Sequence, residues 1–279
     1  MNRLAPVWDA LAGSNLWLAI GASTMTSASI FYLTGTWRGS FLAAWVFCAT
    51  LCLYNWHRLI SPHKKSNNAS PWAQTNRRIV VGLTVCAGIA ALVLFVFLPL
   101  RVQLSLLFPS LLGLSYSLPV LPGQKRLRDV PRLKILVLAS VWAWVAVYLP
   151  WLYLEIPIHG YSALVYAEKW LLFFAIAVAF DIRDVVFDQA QGTLTLPGKF
   201  GIYSAKILAQ AALLLAIGLS CKLYTSGLYS GAVFGGTIFS LLCTAILIAF
   251  ASPKRSRYYY EGCLDGVLIL QPLAIWVLS

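Results

Sequence analysis

The sequence predicts an all-α, polytopic membrane bundle of about nine transmembrane helices. Three observations lead there. Of 279 residues, 60% are hydrophobic and only 11% are charged, and the mean hydropathy is +0.77. A soluble domain cannot hide that much apolar surface. The apolar residues fall into runs close to the ~20 residues that cross a bilayer, and the basic residues gather in alternate connections between those runs. No long polar linker, low-complexity tract or internal repeat divides the chain, so residues 1–279 read as one domain.

The first crossing is Asn15–Gly35, which carries no charge, and the second is Ser40–Leu59, apolar until its polar end at Tyr54–Arg58. Ile79–Leu100 follows, and a tight turn around Pro99–Arg101 leads into Val102–Leu118. That fourth segment is short and holds Pro109, so it is expected to tilt or kink. Leu133–Tyr153, Ala163–Phe180, Tyr203–Cys221, Tyr229–Phe250 and Gly262–Leu278 complete the set. Asp9 interrupts the N-terminal residues and the next apolar run has full spanning length, so no cleavable signal peptide is expected.

Charge orients the bundle. All but four of the 21 Lys and Arg residues lie at the N-terminus or in the connections after helices two, four, six and eight. The exceptions are Arg38, Arg101, Lys169 and Lys222, assigned to the alternate loops. Basic connections stay on the cytoplasmic side, which puts the C-terminus on the other. An integral, multi-pass protein of a bacterial inner (plasma) membrane is the expectation, with its polar face towards the cytoplasm. The net charge of +12 is explained by this rule and by contact with anionic membrane lipid, so nucleic acid is not an expected partner. The six cysteines (Cys48, Cys52, Cys86, Cys221, Cys243 and Cys263) form no CxxC pair and read as buried small hydrophobes, without zinc or disulfides.

The stretch Asp181-Ile182-Arg183-Asp184-Val185-Val186-Phe187-Asp188 holds three of the nine acidic residues, directly after the uncharged run Leu171–Phe180. On a continuing helix, the spacing i, i+3, i+7 puts all three on one face. Like charges so close repel, and each is costly near lipid, so a positive group is expected among them. An all-oxygen set suits Mg²⁺, which commonly shares its coordination with substrate phosphates. The plainer alternative is a solvated helix end in which Arg183 pairs locally with an Asp.

Two basic constellations fall on the same side. Helix two closes on Asn55-Trp56-His57-Arg58, where Asn55 offers a carbonyl oxygen and Arg58 a fork for phosphate. An interfacial belt accounts for these residues equally well. His57 and His63 lie six apart, which is not a zinc spacing. Tyr116-Ser117-Leu118-Pro119 leaves helix four, and Lys125 and Arg126 follow a break at Pro122-Gly123. Lys125 and Arg126 are candidates for phosphate binding, whereas Arg128, Arg132 and Lys134 read as ordinary cytoplasmic charge. Glu261 and Asp265 either pair with Arg255 or Arg257 or face a cavity, and the sequence does not decide between these.

With these pieces in order, the chain resembles the UbiA-type intramembrane prenyltransferase superfamily. Asp181 to Asp188, followed by Gly192, Thr195-Leu196 and Phe200-Gly201, is similar to its second aspartate-rich motif. Tyr116-Ser117 with Lys125-Arg126 resembles its basic loop after helix four. The family's first motif, NDxxDxxxD after helix two, reads here Asn55, Trp56, Leu59 and His63, so only the Asn remains. The resemblance implies a prenyltransferase acting on a prenyl diphosphate. Mg²⁺ would lie on Asp181, Asp184 and Asp188, and the diphosphate on Asn55, Arg58, Lys125 and Arg126. The acceptor would be lipophilic or aromatic, such as a quinone precursor. Loss of the first motif leaves a second implication open: a non-catalytic polyprenyl-lipid binding or carrier protein on the same scaffold. A secondary transporter fits less well, because the acids sit at a helix end and not at a broken helix near the membrane midplane.

Overall fold

The computed structural model describes residues 5–37, 40–60, 70–118, 130, 133–157, 160–190, 192–193 and 195–279. Those residues form a helical bundle with no strand among them. Helix α1 (Ala5–Gly13) turns at Asn15, which adopts a left-handed φ of 59°, into α2 (Leu16–Thr34). Gly35, also left-handed, closes α2 with its amide on the Phe31 carbonyl. Helix α3 (Phe41–Ile60) follows, then the short α4 (Pro71–Thr75), capped by the Ser70 side chain on the Ala73 amide, and α5 (Arg77–Val96).

The expected fourth crossing is two helices, α6 (Leu100–Ser105) and α7 (Leu107–Ser117). Pro109 gives the break a cause: its ring opposes the carbonyl of Ser105, four residues back, and it has no amide to donate. A related strain marks the next element. Helix α8 (Leu133–Ala143) widens into a π-helical turn at Trp144–Tyr148 before α9 (Leu149–Tyr153), and Pro150 falls four residues after Ala146 within that turn.

Helix α10 (Gly160–Ala190) has 31 residues, about 46 Å at 1.5 Å per residue. That exceeds the ~30 Å hydrocarbon core, so its last turns, with the carboxylates, extend past the crossing. The remaining elements are α11 (Leu196–Phe200), α12 (Ile202–Thr225), α13 (Gly231–Ala249), a π-helical segment Tyr258–Leu264, and α14 (Asp265–Leu278). Among the described residues, six helices are long and apolar enough to cross a membrane: Leu16–Thr34, Arg77–Val96, Leu133–Tyr153, Ile202–Thr225, Gly231–Ala249 and Tyr258–Leu278. The chain is an integral membrane protein by this measure, with α3 and α10 lying where the second and sixth crossings are expected.

Small residues bring the helices close, as lipid-embedded packing favours. Ala205, Ala209, Ala212 and Ala216 form a buried stripe on α12, which packs against α10. At Gly236 of α13, a Cβ would come within 2.6 Å of the Ile275 backbone nitrogen on α14, so only glycine permits that approach. Lys169 does not lie in an outer loop, contrary to the charge count. It is buried within α10, 3.0 Å from Glu168, whose other oxygen accepts the Tyr229 hydroxyl at 2.5 Å. An ammonium beside a carboxylate offsets part of the cost either charge would carry alone.

Candidate active site

The last turns of α10, the end of α3, the starts of α5 and α8, and the π segment with α14 enclose one cavity of about 2310 Å³. That is larger than the ~300–1,000 Å³ typical of small-molecule sites. Its mouth is charged: His57, Arg58, Arg77, Lys134, Arg183, Asp184, Asp188, Glu261 and Asp265 all line it. Away from the mouth the walls are apolar, including Trp45, Val46, Phe95, Leu106, Trp142, Val145 and Phe173. A polar head under one end and a long apolar tail along the other is the ligand shape this matches.

The three aspartates divide. Asp181 is buried, accepts a hydrogen bond from Lys134 Nζ at 2.7 Å, and does not line the cavity. Lys134 also lies 4.0 Å from Asp188 Oδ2, so one ammonium stands between carboxylates seven residues apart. Asp184 and Asp188 do line the cavity. Arg183 holds Asp184 with Nε at 2.8 Å and Nη2 at 3.1 Å, as the local-pairing alternative anticipates. Its guanidinium sits 4.7 Å from the Phe180 ring centre and 3.8 Å from Glu261, which Arg257 binds at 2.8 Å. Glu261 therefore both pairs with Arg257 and faces the cavity, and Asp265 faces it too.

Asp188 lies beyond the membrane-crossing part of α10. Burial raises its carboxyl to about 6, opposed by Lys134 and reinforced by Asp181 and Asp184. Its Oδ2 is buried without a hydrogen bond. A cation at the mouth would relieve both conditions.

On α3, Asn55 and Arg58 do different things. Asn55 is fully buried, away from the cavity, and accepts from Asn15 Nδ2 at 2.8 Å. Arg58 lines the cavity while donating to the Gly13 carbonyl and, at 2.8 Å, to Asn15 Oδ1. Two of its five N–H donors are thus spent on fixing the guanidinium. Lys125 and Arg126 lie outside the described residues.

Lys134 and Arg77 are site residues that sequence reasoning passed over. The one available signal for Lys134 was its position: it sits in the first turn of a helix, on the carboxylate side, not out in the loop.

Among the described residues no three His, Cys, Asp or Glu side chains converge to hold a metal unaided. Mg²⁺ seldom needs them to, since it is commonly bound by one or two carboxylates plus substrate phosphates and water. Asp184 and Asp188, both on the cavity wall and one with an unsatisfied buried oxygen, fit that requirement.

Fold and site together define a helical membrane bundle with a lipid-sized cavity beneath a mouth of mixed charge. The chain has the UbiA-type prenyltransferase fold. It is similar to a UbiA homologue from Aeropyrum pernix K1 (15% identity, TM-score 0.65, covering 94% of this chain and 97% of that one). It is also similar to a UbiA homologue from Archaeoglobus fulgidus bound to GPP and Mg²⁺ (13%, TM-score 0.59, 99% and 97%). A third similar structure is digeranylgeranylglyceryl phosphate synthase (14%, TM-score 0.60, 99% and 98%). No protein-family model matches the chain, and no curated protein matches it by sequence.

Proposed function

We propose that this protein is a membrane prenyltransferase that moves a polyisoprenyl group from a prenyl diphosphate to a lipophilic or aromatic acceptor. The supporting observation is the single cavity that unites Arg58, Lys134 and Arg183 with Asp184 and Asp188 above an apolar shaft. The bound GPP and Mg²⁺ of the Archaeoglobus fulgidus homologue point the same way.

In this reading the diphosphate lies at the mouth and the tail runs towards Trp142 and Phe173. Arg58 donates to phosphate oxygens through its unused N–H groups, and Lys134 adds an ammonium. Lys125 and Arg126 are assigned to the same head group. Asp184 and Asp188 would hold Mg²⁺, which supplies charge neutralisation of the leaving group. The C–O bond breaks with its electron pair leaving on the diphosphate. The allylic cation bonds to the acceptor, and the acceptor then loses a proton. The faces of Trp142 and Phe173, both on the cavity wall, stabilise positive charge. The active side is assigned to the cytoplasm of a bacterial inner membrane from the charge distribution.

A carrier that binds polyprenyl lipid without turnover is the second reading. One observation favours it: Lys134 and Arg183 already neutralise Asp181 and Asp184. Proteoliposomes with labelled geranylgeranyl diphosphate, Mg²⁺ and a phenolic acceptor separate the two. Transfer by the wild type, lost in Asp184→Asn, supports the enzyme. Tight binding with neither transfer nor hydrolysis would replace it with the carrier.

A further inference from the structure

In the first turn of α8, Lys134 Nζ donates to Asp181, on the last turns of α10, at 2.7 Å. Asp181 is buried and turned from the cavity, whereas Lys134 lines it. A buried carboxylate this close fixes an ammonium that would otherwise swing on four rotatable bonds. The ammonium has three N–H donors, and Asp181 takes one. The same ammonium is 4.0 Å from Asp188 Oδ2, and the Lys134 side chain lines the cavity. The facing wall at the end of α3, from Tyr54 to Ile60, carries no carboxylate.

We infer that Lys134 is a diphosphate-binding residue positioned by Asp181, and that its fixed charge neutralises phosphate at a mouth where the aspartates of the first motif are missing. The site then takes one divalent ion, on Asp184 and Asp188. Asp181 is a positioning residue and not a metal ligand. This rests on the diphosphate reading of the cavity, and it separates two roles that the DxxDxxxD spacing alone would merge.

The test counts metal and measures pyrophosphate affinity in the purified, detergent-solubilised chain, with Mn²⁺ as the paramagnetic probe. The wild type with inorganic pyrophosphate should hold one Mn²⁺ per chain by electron paramagnetic resonance. Lys134→Met should weaken pyrophosphate by about tenfold to a hundredfold, the loss of one charge-assisted hydrogen bond. Asp181→Asn should keep the single Mn²⁺ and weaken pyrophosphate by about tenfold. In the double variant Asp181→Asn should cost nothing more, because there is no ammonium left to position.

Two Mn²⁺ per wild-type chain, an unchanged affinity in Lys134→Met, or loss of the Mn²⁺ in Asp181→Asn would overturn the assignment. Should Lys134→Met fail to fold, the wild-type metal count and the Asp181→Asn titration decide alone. A wild type that binds Mn²⁺ and pyrophosphate but transfers nothing removes the transferase reading and leaves this one standing. A wild type that binds no pyrophosphate removes both.

Discussion

Arg58 Nη2 donates to Asn15 Oδ1 at 2.8 Å, joining residues 43 apart in the chain. Asn15 occupies the left-handed corner between α1 and α2, and it also donates to Asn55. The end of α3 is thereby tied to the start of α2 at the rim of the cavity, and the guanidinium is held in place before any ligand arrives.

Arg58→Lys therefore loses more than a phosphate contact. A lysine is a point donor and cannot reach the Gly13 carbonyl and Asn15 together in the same geometry. We expect a loss of about 1–3 kcal/mol in stability, with pyrophosphate affinity down about tenfold. Thermal unfolding in detergent and a pyrophosphate titration check the two effects separately. A variant unchanged in both would mean the rim is not organised by this residue.

The apolar shaft should set which tails fit. Gly113 of α7 lines it, and among the described residues no atom lies within 4 Å of where its Cβ would be. Gly113→Phe should fold, since its Cβ meets no described atom and Gly113 faces the cavity, and its ring should fill part of the shaft. Transfer from a C20 diphosphate is expected to fall by about tenfold or more, equivalent to roughly 1–3 kcal/mol of overpacking. Transfer from dimethylallyl diphosphate should persist. Equal loss for both lengths would place the tail elsewhere.

Tyr229→Phe tests the buried pair on α10. The phenol donates to Glu168 at 2.5 Å, and removing it leaves a buried carboxylate oxygen with one donor fewer. A hydrogen bond to a charged group is worth about 1.5–3 kcal/mol, so the midpoint of thermal unfolding should fall measurably. Since this pair lies well over ten residues along α10 from the carboxylates at the mouth, pyrophosphate affinity should not change. A drop in affinity equal to that of the Arg58 variant would argue for coupling between the two ends of the helix.

How much of this was readable in advance varied with the kind of interaction. The crossings were legible because apolar length is a property of the sequence itself. The clustering of Asp181, Asp184 and Asp188 at the end of a crossing was legible from their spacing. Which of them faces the cavity was not, because that depends on where Lys134 of α8 comes to rest against α10. Lys134 looked like any other charge in a basic connection until packing turned it inward. Lys169 was hidden for the opposite reason: its neutralising partner, Glu168, is adjacent, but the Tyr229 that completes the arrangement is 61 residues away. The break in the fourth crossing followed from Pro109, yet its position one turn earlier, at Leu106, is set by the carbonyl that the ring opposes.

The central claim is that the charged mouth is a prenyl diphosphate site and the apolar shaft its tail channel. The most direct measurement is an experimental structure with geranylgeranyl S-thiodiphosphate and Mg²⁺. The account predicts the diphosphate between Arg58, Lys134 and Asp184, with the tail lying along Trp142 and Phe173. A diphosphate bound outside this mouth, or a tail lying outside the shaft, would contradict it.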